Sequence, residues 1–278
     1  MSCSLEFFPP KSEAARTALL EQTLPALAPL QPEYCSVTYG AGGSTREPRV
    51  QTVLDLQGAG FTVAPHLSFG QDDETVVADL LERYQRAGIT RLVALRGDVP
   101  SGMGGSGQLV RAQTLVKFAR ETLGDQFHIS VAAYPEIHPQ APGYAEDVAF
   151  LKAKLDAGAD AAITQFFYNV DAYFYFLDRC LAAGINQPIH PGIMPLTNLT
   201  NLTRFADGCG AEIPRWIRQR AGDFRDDPDG LRQFGIDVTT QLCATLEESG
   251  APPVHFYTMN RAKPTLAVAA NLNWLSDS

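Results

Sequence analysis

Short β-rich apolar runs alternate with helical stretches along the whole of this chain. The runs predict eight strands: Cys3 to Phe8, Tyr34 to Thr38, Thr62 to Leu67, Arg91 to Leu95, His128 to Ala133, Ala161 to Gln165, Pro188 to Gly192 and Val254 to Tyr257. Helices fit between them. Ser12 to Leu27 opens on a Ser cap, Arg46 to Ala59 stops at Gly60, and Asp73 to Ala87 stops at Gly88. Gln108 to Leu123, Gly143 to Ala157 before Gly158, Asp171 to Ala183 before Gly184, and a closing Arg261 to Leu272 continue the pattern. The seventh connection alone is long, with two or three helical pieces between Asn198 and Ser249. Strand and helix in alternation point to a parallel sheet covered by helices. Eight such units in about 250 residues predict an α/β fold, a closed (β/α)8 TIM barrel. With no low-complexity linker or composition break, residues 1–278 read as a single domain.

One position breaks the apolar pattern. Glu6 sits inside the first run, Ser4-Leu5-Glu6-Phe7-Phe8. Alternation puts Leu5 and Phe7 on one face and Ser4, Glu6 and Phe8 on the other. Burial disfavours the ionised form of a carboxylate, so an acid here is suited to deliver a proton near neutral pH. A buried carboxylate neutralised by an arginine is the alternative reading. A barrel of this type carries its chemistry at the carboxyl ends of its strands. The polar residues there are Glu6, Thr38, Tyr39, His66, Arg96, Asp98, Tyr134, His138, Gln165, Tyr257, Asn260 and Arg261, which converge on one mouth.

Composition narrows the partners. The chain has 22 Lys and Arg against 31 Asp and Glu, a net charge of -9, which argues against nucleic acid. No stretch approaches the roughly 20 apolar residues of a membrane span, and Met1 runs straight into the first strand, so the chain reads as cytoplasmic. Five scattered cysteines without a Cys-x-x-Cys pair read as reduced packing residues. Five histidines without His-x-His or His-Glu-x-x-His spacing speak against a catalytic metal, and leave His66 and His138 as donors to an anionic or heteroaromatic ligand. No lysine stands at a strand end, which disfavours Schiff-base chemistry. Lys154 and Asp147, on the helix after strand five, can instead reach a ribose or phosphates, although surface solvation is the ordinary reading for both. Gly102-Met103-Gly104-Gly105-Ser106-Gly107 matches G-x-G-x-x-G. It begins too far past its strand for a dinucleotide fold and reads as a rim loop.

Several ordered blocks match something specific. Glu6-Phe7-Phe8-Pro9-Pro10, Ser36-Val37-Thr38-Tyr39-Gly40-Ala41, Ala64-Pro65-His66-Leu67 and Ala94-Leu95-Arg96-Gly97-Asp98 resemble the methylenetetrahydrofolate reductase family, bacterial type. Ile163-Thr164-Gln165-Phe166-Phe167, Pro191-Gly192-Ile193-Met194-Pro195 and His255-Phe256-Tyr257-Thr258-Met259-Asn260-Arg261 extend the resemblance over nearly the whole chain. It implies reduction of 5,10-methylenetetrahydrofolate to 5-methyltetrahydrofolate with NADH or NADPH as donor. Hydride passes by way of FAD in a ping-pong cycle. By the same resemblance Thr38, Tyr39, Ala41, His66, Arg96, Gly97, Asp98, Ala112, Tyr134, His138, Ala141, Asp147 and Lys154 surround FAD. Glu6 is the acid that protonates the departing folate nitrogen. Asp98 lies near the pterin, Gln165 contacts folate and nicotinamide in turn, Arg261 holds folate, and Phe205 stacks on the bound ring. The resemblance also implies a homo-oligomer acting on small molecules. Phe150 and Ala153 depart from the polar residue and arginine the family commonly has there. Two alternatives stay open: a folate- or flavin-binding barrel that has lost the reduction chemistry, and a flavin-free transferase or lyase.

Overall fold

Side chains of a strand face opposite ways in alternation, and each of the eight runs has apolar residues on one face. In the computed structural model, which describes residues 2–38, 46–69, 74–95 and 112–276, the runs are eight strands. They are β1 (Cys3–Phe7), β2 (Cys35–Val37), β3 (Val63–Leu67), β4 (Arg91–Ala94), β5 (His128–Ala133), β6 (Ala161–Phe166), β7 (Ile189–Ile193) and β8 (Val254–Tyr257). Each pairs in parallel with the next, and β8 returns to β1, so the sheet closes into a (β/α)8 barrel without edges.

The outward faces carry Leu5, Phe7, Val37, Val63, Leu67, Leu92, Ile129, Val131, Ile193 and Phe256, all in the main apolar core beneath the helices. The inward faces are polar. Ser4, Glu6, Ser36, His66, Ser130 and His255 are buried, beside a small apolar group of Tyr34, Ala64, Val93 and Ile163. Register decides which of these meet. Glu6 lies beside Ser36 on one side and Tyr257 on the other, and Ser4 lies beside His255.

Around the barrel run α1 (Glu13–Ala18), α2 (Leu24–Leu27), α3 (Arg46–Gly58), α4 (Glu74–Arg86), α5 (Ala112–Leu123), α6 (Tyr144–Asp156) and α7 (Val170–Ala182). The expected unbroken helix from Ser12 to Leu27 is corrected here. Ser12 does cap α1, accepting from the Ala15 N–H, but Leu19–Thr23 forms a π-helical turn in which the Leu24 N–H reaches the Leu19 carbonyl. Pro25 explains it, since a proline inside a helix lacks an N–H and crowds the carbonyl four residues back. The first strand is also shorter than expected. It stops at Phe7, and Phe8 is exposed, its N–H and carbonyl both bonded to the Asn260 side chain.

The long seventh connection holds α8 (Leu199–Cys209), α9 (Arg215–Gly222) and α10 (Pro228–Glu248), and α11 (Ala262–Asn271) follows β8. Asn198 caps α8 by accepting from the Asn201 N–H. A second apolar cluster fastens these helices to the ends of β6 and β7 through Phe166, Met194, Leu196, Leu202, Ala206 and Ile217. All five cysteines are unpaired thiols. No described helix is long and apolar enough to cross a membrane.

Candidate active site

Glu6 enters the barrel because β1 alternates, and it is 7% exposed. Its Oε2 stands 3.3 Å from Nε2 of His66 on β3 and 3.5 Å from Nε2 of His255 on β8. Burial holds the His66 imidazole below its ordinary pKa, against the opposing pull of the Glu6 carboxylate and with His255 adding to the effect. His66 is therefore neutral at pH 7. His255 is fixed from behind: its Nδ1 is 2.7 Å from the Ser4 hydroxyl, its Nε2 is 3.4 Å from the Ser36 hydroxyl, and its ring stacks on Tyr34. Among the described residues Glu6 thus faces imidazole and hydroxyl groups, His66 neutral among them, and has no arginine partner of the kind the alternative reading requires.

The strand end that carries Glu6 is stapled by the loop after β8. Thr258 donates its hydroxyl to the Glu6 carbonyl at 2.6 Å, and Asn260 bonds the Phe8 backbone. Met259 and Asn260 both take left-handed backbone, φ 54° and 56°. This turn lets Arg261 open α11 at the mouth, where it is exposed.

A bulge between Ile163 and Phe166 interrupts the β6–β7 register. Bulges re-aim side chains, and Gln165 sits within this one, its Oε1 accepting from the Phe166 N–H at 3.0 Å. Gly192 accommodates the bulge: its N–H donates to the Thr164 hydroxyl at 2.8 Å, and the Tyr257 hydroxyl donates to the Thr164 carbonyl at 2.7 Å.

A second group lies on the β5 and α6 side. The Tyr134 and His138 rings meet edge to face at 4.5 Å. His138 Nδ1 accepts from the Gln140 N–H, its own N–H donates to Asp147, and its carbonyl accepts from Ala141. Burial, first of all, raises the Asp147 carboxyl. Lys154 donates to the Ala132 carbonyl. Thr38, just past β2, has a buried hydroxyl with no hydrogen-bond partner among the described residues, and Ala112, the first residue of α5, is buried. Phe205, on α8, is 38% exposed with the Arg204 guanidinium 5.9 Å from its ring centre. Tyr39, Ala41, Arg96, Gly97, Asp98 and the loop Ser101 to Gly107 lie outside the described residues.

Ser4, Ser36 and His255 were absent from the candidates taken from the sequence, although Ser4 shares the face of Glu6 by simple alternation. His255 is two residues from Tyr257 and so faces the same way. Glu136 was missed as well. It follows β5, accepts from the Glu212 N–H at 2.7 Å, and is pushed up to about 7 chiefly by burial.

A closed parallel barrel with a buried acid and polar strand ends at its carboxyl mouth defines a barrel enzyme of the (β/α)8 class. A sequence model of methylenetetrahydrofolate reductase matches residues 1–273, and the chain belongs to that family. It is 38% identical over 277 residues to the 5,10-methylenetetrahydrofolate reductase of Escherichia coli, covering 98% of this chain and 90% of that one. The Zea mays protein named methylenetetrahydrofolate reductase (NADH) 1 is 34% identical over 289 residues, covering 99% of this chain and 49% of its own length. Among solved structures, a Clostridium thermocellum protein described as binding two copies of 5-methyl-5,6,7,8-tetrahydrofolic acid overlays with a TM-score of 0.69 at 18% identity. That overlay covers 97% of this chain and 93% of the other, and shows the shared fold.

Proposed function

We propose that this chain reduces 5,10-methylenetetrahydrofolate to 5-methyltetrahydrofolate with electrons from NADH or NADPH, by way of FAD, in a ping-pong cycle. The observation that carries the reading is the buried Glu6 carboxyl group among imidazole and hydroxyl groups at the mouth of the barrel. The folate's five-membered ring must open before its methylene carbon accepts hydride, and the departing nitrogen needs a proton. Glu6 holds that proton and passes it on. A positioned general acid is worth about 10² to 10⁴ in rate. His255 Nε2, 3.5 Å from Glu6 Oε2, orients the carboxyl group, neutral His66 packs beside it, and the Thr258 and Asn260 staples keep the end of β1 in place.

The residues fit FAD in one specific respect: the buried Thr38 hydroxyl at the mouth has no hydrogen-bond partner among the described residues. Thr38, His66, Ala112, Tyr134, His138 and Ala141 would hold the cofactor together with Tyr39, Ala41, Arg96, Gly97 and Asp98. Asp147 and Lys154 would join at its adenosine side, each giving up part of its present bond to His138 or Ala132. What the cofactor supplies when bound is hydride carriage between nicotinamide and folate. Gln165, Arg261, Phe205 and Asp98 would bind the folate. The NADH in the name of the maize relative favours that donor here. The same reading makes the chain a single-domain, cytoplasmic homo-oligomer.

Purified protein tests it. It should bind added FAD, the bound flavin should bleach anaerobically with NADH or NADPH, and methylenetetrahydrofolate should restore its colour. A preparation that binds no flavin counts against the reading, and one that binds flavin and folate without exchanging electrons supports the binding-only alternative.

A further inference from the structure

We propose that Glu136 is a positioning residue: its side chain fastens the carboxyl-terminal end of α8 to the loop after β5, and so sets where Phe205 stands over the barrel mouth. The role of Phe205 in folate binding rests on the function proposed above, whereas the fastening itself does not. Glu136 Oε2 accepts the Glu212 N–H at 2.7 Å, and its other oxygen is buried without a hydrogen-bond partner among the described residues. The two segments also touch through backbone and ring. Gly210 ends α8 at φ +77°, and a Cβ there would stand 2.9 Å from the Pro139 ring and 3.1 Å from the Ile137 carbonyl. Ile137 itself is held at φ 71°, a conformation that β-branched residues rarely adopt. On its other side α8 is gripped by Leu202 and Ala206, next to Phe205, in the second apolar cluster. Apolar contact holds one face of α8, and Glu136 secures the end.

This fastening depends on pH. The titratable groups that face Glu136 are Glu212 and Cys209, both on the α8 side. Burial pushes the Glu136 carboxyl up to about 7, the Glu212 N–H draws it down, and the Glu212 carboxylate pushes it up again. The ordinary value is 4.5. The docked form therefore binds the proton more tightly than the undocked form. Docking is strongest below the ordinary value and is lost as pH rises through the docked one. Between pH 6 and 8 the docking constant should fall about tenfold.

Hydrogen exchange over residues 208–214, corrected for intrinsic rates, reads the fastening directly. In the wild type, protection should drop by up to about tenfold from pH 6 to pH 8, and in Glu136→Gln, which keeps an acceptor but cannot ionise, it should not change with pH. Calorimetric binding of 5-methyltetrahydrofolate should weaken over the same range in the wild type only. Wild-type protection that is constant with pH, a measurement that needs no variant to fold, overturns the fastening. So does an equal drop in the variant. A pH-dependent exchange with pH-independent folate binding overturns the positioning role, whereas the expected exchange with no folate binding at any pH upholds the fastening and overturns the folate reading.

Discussion

Adding one methyl group at Gly192 should loosen the barrel at the site. A Cβ there would lie 2.1 Å from the Thr164 carbonyl oxygen and 2.7 Å from Cε2 of Tyr257. Neither neighbour is a flexible end: the carbonyl is backbone, and Tyr257 is tied to that same carbonyl by its hydroxyl. Restoring an ordinary carbon–oxygen separation of about 3.3 Å moves β6 and β7 apart by roughly 1 Å. Overpacking of this kind costs about 1–3 kcal/mol, and the lost Tyr257 bond about 1 kcal/mol. In a chain of this size each kcal/mol moves the thermal midpoint by about 2–4 °C, so Gly192→Ala should melt about 4–16 °C lower. Gly58→Ala is the matched control. Gly58 is the last residue of α3 with nothing within 4 Å of its virtual Cβ, and alanine there should be neutral or stabilise by up to about 1 kcal/mol. Circular dichroism melts of the two variants check the difference. A Gly192→Ala midpoint within about 1 °C of wild type would refute the close-packing argument.

His255→Leu keeps a side chain of similar bulk but strips Ser4 of its 2.7 Å partner. It should cost about 1–3 kcal/mol and slow reoxidation of the reduced enzyme by folate more than its reduction by nucleotide; equal slowing of both half-reactions, read by stopped-flow, would contradict the role given to His255. Arg120→Met removes donors to the Gly158 carbonyl at 2.7 Å and the Phe127 carbonyl at 2.6 Å, together with the Asp160 pair. Urea titration should show a loss of about 2–4 kcal/mol, and a loss under about 1 kcal/mol would show those carbonyls to be well served by water. Acid should weaken the fold through His66, His128 and His190, each lowered chiefly by burial. Their depressed folded values mean the unfolded chain binds more protons, so stability is present above the ordinary 6.5 and is lost as pH falls through the folded values. Urea midpoints should decline below about pH 6.5, and a constant midpoint down to pH 5 would contradict the burial of these rings.

Much of this architecture is legible in the order of residues because a parallel barrel repeats one signal eight times. The limits of β5 and β8 coincide with the expected runs, and the other strands differ by a residue or so at an end. The helices α3, α4, α6, α7 and α11 end one residue before the expected positions, each time because a fraying last turn carries no periodic signal. The π turn before Pro25 was not legible, since a proline late in a helical run can kink, end or bulge it. Glu6 stood out as a charge in an apolar run. His66 was legible too, from its place at a strand end, but His255 was not, because it lies 189 residues further along the chain and only the closure of β8 onto β1 brings it to the same carboxylate. Glu136 was hidden for a like reason, its burial arising from α8 folding back across the end of β5.

Glu6→Gln tests the central claim most directly, because glutamine preserves the shape and hydrogen-bonding reach of the side chain and removes its proton. In anaerobic stopped-flow with FAD bound, the variant should be reduced by NADH or NADPH at close to the wild-type rate. Its reoxidation by methylenetetrahydrofolate should be slower by about 10² to 10⁴. Both half-reactions proceeding at wild-type rates would contradict the assignment of Glu6 as the acid.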